Sequence, residues 1–401
     1  MKILHVNFSD SIGGAAIAVN RLHSLLIKKG YNSNLLVNEK NTQNKNVFNS
    51  KSNFILIQNL FYQSVERKII SLIGKSNYQS KSLNIFPTGL AKKINNFNAD
   101  VVNLHWIGNA MISIKEISKI KSKLVWTMHS MWPFSCIDHL SDKDDFSKNF
   151  LNNNHKKFNF IEKYVWSQKI KYFKNLDISL ICSSKSMMNK VSNSYLFREK
   201  KIKLIPLILN NKINNINLEN AKRFFNNNKK KYKICCIAES LDNPNKRINE
   251  LIDCIDKNNF FNKNNSEIVL IGDFKKKKLS KKEIYINHVG KLSDEISKQI
   301  LISSVDVVCL ASKSETFGQT SLEAISLGVP CVIFENLGAA DYINHEKNGY
   351  IAKTNNFLDF SDGISWSLKF LRNKKKEILN EFYSKYDENE IIEDYINFIS
   401  S

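Results

Sequence analysis

Residues 2–38 read KILHVNFSDSIGGAAIAVNRLHSLLIKKGYNSNLLVN, and this stretch decides the fold class. KILHVNF is apolar and β-prone, and SDSIGGA is a turn. The segment after it repeats apolar residues at helical spacing, with Ala15, Ala18, Val19, Leu22, Leu25 and Leu26 on one face. Gly30 sits where a helix C-cap belongs, and NSNLLVN follows as a second strand. Strand, glycine turn, helix and strand make a βαβ unit, which requires a parallel sheet. The alternation returns in ADVVNLHW, a helix over MISIKEISKI, then KLVWTMHS and LDISLICSS with a helix after it. Residues 208–232 break it, being rich in Asn and Lys with no sustained apolar period. A second βα series follows in KICCIAES, NELIDCIDK, EIVLIGDF, IYINHVGKL, VDVVCLASKS, PCVIFEN and NGYIAK, before a helical tail.

The 401 residues therefore divide into two α/β domains with mostly parallel sheets: 1–207, a linker over 208–232, 233–380, and a final helix over 381–401 that packs back toward the first domain. A hydrophobic share of 42% with 24% charged residues is ordinary for a globular enzyme. The formal charge of +21 suits nucleic acid, an anionic membrane or a phosphorylated substrate alike. Its local runs, 229–231 and 275–278, lack the interleaved aromatics of a single-strand binding groove. The seven cysteines include no C-x-x-C pair and several lie inside apolar runs, the pattern of a reducing cytoplasm. The first residues lack a signal-peptide h-region, and no apolar run reaches the length of a membrane span.

Candidate chemistry gathers at strand ends. In SETFGQTSLEAISLGVP, residues 314–330, a buried-type strand leads into a loop and then a helix from about Gln319. A helix N-terminus carries unpaired amides and partial positive charge. The Phe317-Gly318 loop with the amides of Thr320 and Ser321 can therefore hold a phosphate or diphosphate. Glu315 precedes that helix, and Glu323 sits one turn in, where a carboxylate can accept from vicinal hydroxyls. A carboxylate so placed also simply complements the helix end, and it is the strand–loop–helix context that favours a site. Gly13 and Gly14 open the first helix in a phosphate-friendly turn, without the full dinucleotide fingerprint. His105 and His129 close two separate strands, where ligands of open α/β sheets collect. Asp138 and His139 lie near His129 but show no regular metal-ligand spacing. Lys246, with Arg247 beside it, lies between a strand and a helix, where a cation neutralises phosphate.

The chain resembles the retaining glycosyltransferases of family 4, which have the GT-B fold of two facing Rossmann-like domains with a cleft between them. It is most similar to the branch that builds bacterial exopolysaccharide, capsule and O-antigen. The resemblance runs through GGAAIAVNRLH, DVVNLHWIG, KLVWTMHSMWPFS, SETFGQTSLEAISLGVPCVIF and DYINHEKNGYIA. It implies transfer of a sugar from a nucleoside-diphosphate sugar to a hydroxyl of a growing, lipid-linked surface glycan, with retention. Glu323 then binds ribose, and Glu315 with Phe317-Gly318 holds the sugar. Thr320, Ser321, Lys246 and Arg247 meet the diphosphate, and Val289 to Leu292 lie against the base. Gly13 and Gly14 line the phosphates and acceptor, His129 approaches the donor sugar, and His105 lies on the acceptor side. Departures from the family pattern fall at Ser240, Arg247, Ser130 and Asp138, and at Gly338, the one glycine of a usual pair.

No D-x-D pair is placed to carry a divalent metal, Asp144-Asp145 lying in a polar loop, so no metal or other cofactor is expected. Nor is nucleic acid an expected partner. The stretch 53–81 mixes apolar and basic residues and reads either as an interfacial helix or as one packed on the first domain. A cytoplasmic protein, peripheral on the inner membrane, is the corresponding location. The competing readings are a GT-B sugar-nucleotide epimerase, a basic nucleic-acid-binding α/β protein, and an NAD-type oxidoreductase, the last opposed by its glycine pattern.

Overall fold

The computed structural model describes residues 1–50, 53–73, 81–140, 148, 158–209, 231–275, 284–292 and 294–401. It forms two compact units, Met1–Ile208 with Asn389–Ser401, and Leu209–Glu388.

The first unit holds seven strands: β1 (Lys2–Ser9), β2 (Asn32–Glu39), β3 (Val47–Asn49), β4 (Val101–Leu104), β5 (Lys123–Met128), β6 (Ser179–Cys182) and β7 (Lys201–Leu204). Their order is β3-β2-β1-β4-β5-β6-β7, with every pairing parallel. Strand order reverses between β1 and β4, so the crevice at their carboxyl ends is the ligand position in such sheets. The core strands are mainly apolar because helices cover both faces of a parallel sheet, and Ile3, Leu4, Val6, Val102 and Leu104 are buried.

The helix Gly14–Lys28 starts at Gly13, whose φ of 90° turns the chain out of β1. It buries Ala18, Val19 and Leu26 of the expected face, together with Ala16, Arg21 and His23, while Leu22 is partly buried and lines a pocket. Gly30 adopts φ 85° just past its end, the left-handed geometry that glycine takes without penalty. The helix expected over 111–120 shrinks to Ile114–Ile117, closed by a capping box between Ser113 and Glu116. The Glu116 carboxylate also accepts from the amides of Thr88 and Gly89, which anchors the segment as a corner.

The second unit holds β8 (Tyr232–Ser240), β9 (Ser266–Asp273), β10 (Tyr285–Gly290), β11 (Val307–Leu310), β12 (Cys331–Phe334) and β13 (Gly349–Ala352). They form a parallel sheet in the order β10-β9-β8-β11-β12-β13. Order reverses between β8 and β11, which repeats the crevice of the first unit. All seven cysteines are buried. Burial pushes those of β8, β11 and β12 well up, so they behave as small apolar side chains.

The 208–232 linker falls almost wholly outside the described residues, as do the lysine runs beyond Lys231 and Lys275 and the Asp144-Asp145 pair. The helical tail divides into Lys375–Tyr383 and Glu388–Ser400. The last helix belongs to the first unit, where the Tyr395 hydroxyl accepts from Asn103 Nδ2 at 2.9 Å.

Candidate active site

In the first unit, β4 and β5 deliver His105 and His129 to neighbouring positions just past their carboxyl ends. Nδ1 of His105 lies 2.9 Å from Nε2 of His129, and Nε2 of His105 lies 3.0 Å from Nδ1 of His5, which comes from β1. Three imidazoles thus form one hydrogen-bonded string across three adjacent strands. His5 and His105 are buried. Desolvation holds both well below the ordinary histidine pKa, reinforced by the neighbouring rings, and it also lowers His129. At neutral pH the string is uncharged.

His105 and His129 line a pocket with Ala18, Leu22, Thr127, Ile181, Tyr395 and residues 205–208. Beneath it, Thr127 Oγ1 donates to Asn103 Oδ1 at 3.1 Å, and the amide nitrogen of Asn103 holds Tyr395. Gly13 and Gly14 stand at the tip of β1, next to β4 in the sheet.

The loop that carries His129 is clamped from below. Lys169 is buried, with its ammonium 3.9 Å over the Trp132 ring and donating to the carbonyls of Ser135 (3.1 Å), Cys136 (2.9 Å) and Trp132. His139 is a structural member of the same clamp. Trp106 Nε1, which only donates, reaches its Nδ1 at 2.9 Å, so its Nε2 carries the proton that meets Ser82 Oγ at 2.8 Å. Burial lowers its pKa to about 3, helped by the charge of Lys169.

In the second unit the loops after β8 and β11 are stitched together. Asn245 Nδ2 donates to the Ser314 carbonyl at 2.9 Å, and the Lys313 amide donates to the Asn245 carbonyl at 2.8 Å. This brings Lys246 onto Glu315, residues 69 apart, as an ion pair, with Ser312 Oγ donating to the same carboxylate oxygen at 2.9 Å. Arg247 goes elsewhere. Its backbone is left-handed at φ 54°, and its guanidinium stands 4.3 Å over Phe357 and donates to Asn355 at 2.6 Å.

Gly318 takes φ 81° and starts the helix Gln319–Ile325. Phe317 is buried edge-to-face against Tyr342 at 5.3 Å. The Ser321 amide already donates to the Gly318 carbonyl at 2.9 Å, whereas Thr320, a residue earlier, has no intrahelical acceptor. Glu323 is buried and ion-paired to Lys298 at 2.6 Å. Val289 is the last residue but one of β10 and Leu292 lies two residues past its end; both are partly buried, and β9 separates β10 from β8.

Two family models match adjoining parts of this chain: Glycosyltransferase Family 4 over residues 12–210 and Glycosyl transferases group 1 over residues 219–382. The chain is a glycosyltransferase of the GT-B type. No curated protein matches it in sequence. Among solved structures it is similar to the Anabaena protein HepE in complex with UDP and glucose, at 14% identity over 100% of this chain and 99% of that one, with a TM-score of 0.63. WaaG, a glycosyltransferase involved in lipopolysaccharide biosynthesis, matches at 13% identity over 100% of both chains, TM-score 0.66. Sucrose-phosphate synthase from Thermosynechococcus elongatus matches at 12% over 99% and 98%, TM-score 0.67.

Sequence reasoning missed His5, Asn103, Tyr395 and Lys298 in this transferase. The signal for His5 and Asn103 was present: each is a polar residue inside a strand otherwise built for burial, and a buried polar group requires a partner. Among the described residues, no group of three or more His, Cys, Asp or Glu side chains is placed to hold a metal ion. Among them too, no helix is long and apolar enough to cross a membrane.

Proposed function

We propose that this transferase moves a sugar from a nucleoside-diphosphate sugar to a hydroxyl of a lipid-linked, growing surface glycan, retaining anomeric configuration and using no divalent metal. The observation that carries this reading is the pairing of Lys246 with Glu315 at the β8/β11 crevice, with the buried Glu323 in the helix that follows. Lys246 and Glu315 are each about one-fifth exposed, so their mutual attraction is modest and readily exchanged. A bound donor would take both: Lys246 moves to the diphosphate, and the released Glu315 accepts from a sugar hydroxyl. Thr320 adds an amide at the helix end, and Glu323 accepts from the ribose. Stabilising the departing diphosphate is the main chemical need, and fixed donors in a crevice supply it electrostatically. His129 lines its pocket as a neutral group for the donor sugar, with His105, Gly13 and Gly14 on the acceptor side.

That HepE was solved with UDP and with UDP-glucose supports a nucleotide donor here. A place on the cytoplasmic face of a membrane is supported by the helix Asn53–Leu72, which exposes Leu60, Phe61 and Leu72 near the basic Arg67 and Lys68. Calorimetry with a panel of nucleoside diphosphates tests the donor site. One of them should bind the wild type and lose at least tenfold in affinity in Glu323→Ala, and equal affinity in both proteins would remove Glu323 from the site.

A further inference from the structure

Thr127 and Tyr395 meet at one amide. Thr127 Oγ1 lies 3.1 Å from Asn103 Oδ1, and the Tyr395 hydroxyl lies 2.9 Å from Asn103 Nδ2. All three side chains are buried, and Thr127 and Tyr395 line the pocket of the first unit. Asn103 and Thr127 stand on the neighbouring strands β4 and β5, while Tyr395 arrives from the last helix, Glu388–Ser400.

A primary amide offers one carbonyl oxygen and one NH2 group. Between two hydroxyls it accepts the proton of one and donates to the oxygen of the other. The hydroxyl that receives the amide N–H keeps its own proton, and neither hydroxyl has a further hydrogen-bond partner among the described residues. With Asn103 oriented as it is, that spare proton belongs to Tyr395. Turning the amide over hands it to Thr127, so the sum is the same: one O–H is left over on the pocket wall, beside oxygen lone pairs. Burial pushes the Tyr395 phenol well up, so it holds its proton at neutral pH. A buried O–H of this kind calls for an acceptor.

The rest of the wall narrows what that acceptor can be. Leu22, Ile181, Ile205, Pro206 and Ile391 make it apolar, and among the described residues that line it none is a lysine, an arginine or a carboxylate. His105 and His129 line it too, and desolvation keeps both uncharged at neutral pH. An anion entering here would lose its hydration without gaining a cation. An alcohol suffers no such penalty. Its oxygen takes the spare proton, its own O–H finds the lone pairs of Thr127 or Tyr395, and its carbon body lies on the aliphatic side chains.

We propose that Thr127, Asn103 and Tyr395 form a recognition subsite for a neutral alcohol with an apolar body, Thr127 and Tyr395 touching the ligand and Asn103 positioning both. Taken with the proposed transfer, on which this clause alone rests, that alcohol would be part of the acceptor.

The experiment is NMR of the full chain with labelled isoleucine methyl groups, titrated with 2-propanol and separately with acetate. The Ile181, Ile205 and Ile391 signals should shift saturably with 2-propanol and stay in place with acetate. Tyr395→Phe keeps the ring that stacks on His5 and removes only the hydroxyl, and Thr127→Val removes the other hydroxyl. Each should weaken 2-propanol binding about three- to tenfold, the weight of one neutral hydrogen bond, while Thr127→Ser should bind as wild type does. The isoleucine spectrum itself shows whether each variant has kept its fold. Saturable shifts with acetate, none with 2-propanol, or wild-type affinity in both folded hydroxyl-deletion variants would overturn the proposal. No nucleotide sugar enters these titrations, so alcohol binding by a chain that binds no nucleotide sugar would strike the proposed function alone.

Discussion

Gly318 is the sharpest mechanical constraint beside the candidate donor site, and Gly318→Ala tests it. The residue holds φ 81° at the start of Gln319–Ile325, a conformation that costs an L side chain about 1–2 kcal/mol. A Cβ built there would also stand 2.7 Å from the Ala339 Cβ and 3.2 Å from Leu310 Cδ2. The first contact is shorter than real Cβ contacts allow, and its neighbour is a rigid methyl rather than the end of a flexible chain. Overpacking of this kind costs about 1–3 kcal/mol, so the second unit should lose roughly 2–5 kcal/mol in all, by the sum of the two effects.

Urea unfolding followed by tryptophan fluorescence of the second unit, which contains Trp366, gives the number. Ala339→Gly separates the two causes, since it removes the clashing methyl and leaves the backbone strain. In a double-mutant cycle the pair should couple by about 1–3 kcal/mol, the steric share. Loss below about 0.5 kcal/mol for Gly318→Ala, or simple additivity of the pair, would refute the reasoning.

Three further outcomes follow from the same geometry. His129→Ala should lower kcat about 100-fold, the scale of a lost transition-state hydrogen bond, with nucleotide affinity nearly unchanged; wild-type turnover would remove His129 from the reaction. Lys169→Met leaves the Trp132, Ser135 and Cys136 carbonyls without their buried donor, and should destabilise the first unit by about 2–4 kcal/mol in denaturant melts. A melt indistinguishable from wild type would show that the clamp carries no weight. The first unit should also be acid-sensitive. His5, His23, His105 and His139 are buried with pKa values lowered, His23 to about 4 and His139 to about 3, chiefly by desolvation. The unfolded chain therefore binds protons below about pH 6.5 that the folded chain refuses, and stability falls as pH drops from there toward 4. Each such histidine is worth up to ~1.4 kcal/mol per pH unit in that window, so denaturant midpoints at pH 7.5 and 5.5 should differ clearly, and equal midpoints would contradict this.

Much of the architecture was legible because parallel sheets bury their strands on both faces, and runs such as KILHVNF, DVVNL and VDVVCL cannot be anything else between helical periods. The Gly13-Gly14 turn and the segment from Ser314 to Pro330 announced their strand–loop–helix context for the same reason. What escaped detection lies where that signal weakens. β3 is three residues long and β7 reads Lys-Ile-Lys-Leu, both edge strands too short to show a sustained apolar pattern. MISIKEISKI has helical spacing, but Glu116 is drawn into caps at Thr88 and Gly89, and the helix stops after one turn.

The side-chain pairings escaped for a different reason. His5 meets His105, Lys246 meets Glu315 and Lys298 meets Glu323 only after the strands are ordered, and local spacing carries no register between distant strands. Arg247 shows the same limit at short range. Next to Lys246 in sequence, it is turned to Asn355 and Phe357 by a left-handed φ that the sequence does not display.

The most direct test of the central claim is calorimetric titration of the full chain with a panel of nucleoside-diphosphate sugars, beside their free sugars and nucleosides. One nucleoside-diphosphate sugar should bind at a single site per chain, while its free sugar and nucleoside bind far more weakly, because in the proposed site Lys246 and the helix end at Thr320 would act on the diphosphate. Equal binding of the nucleoside and the diphosphate sugar, or no binding across the panel at millimolar concentration, would contradict it.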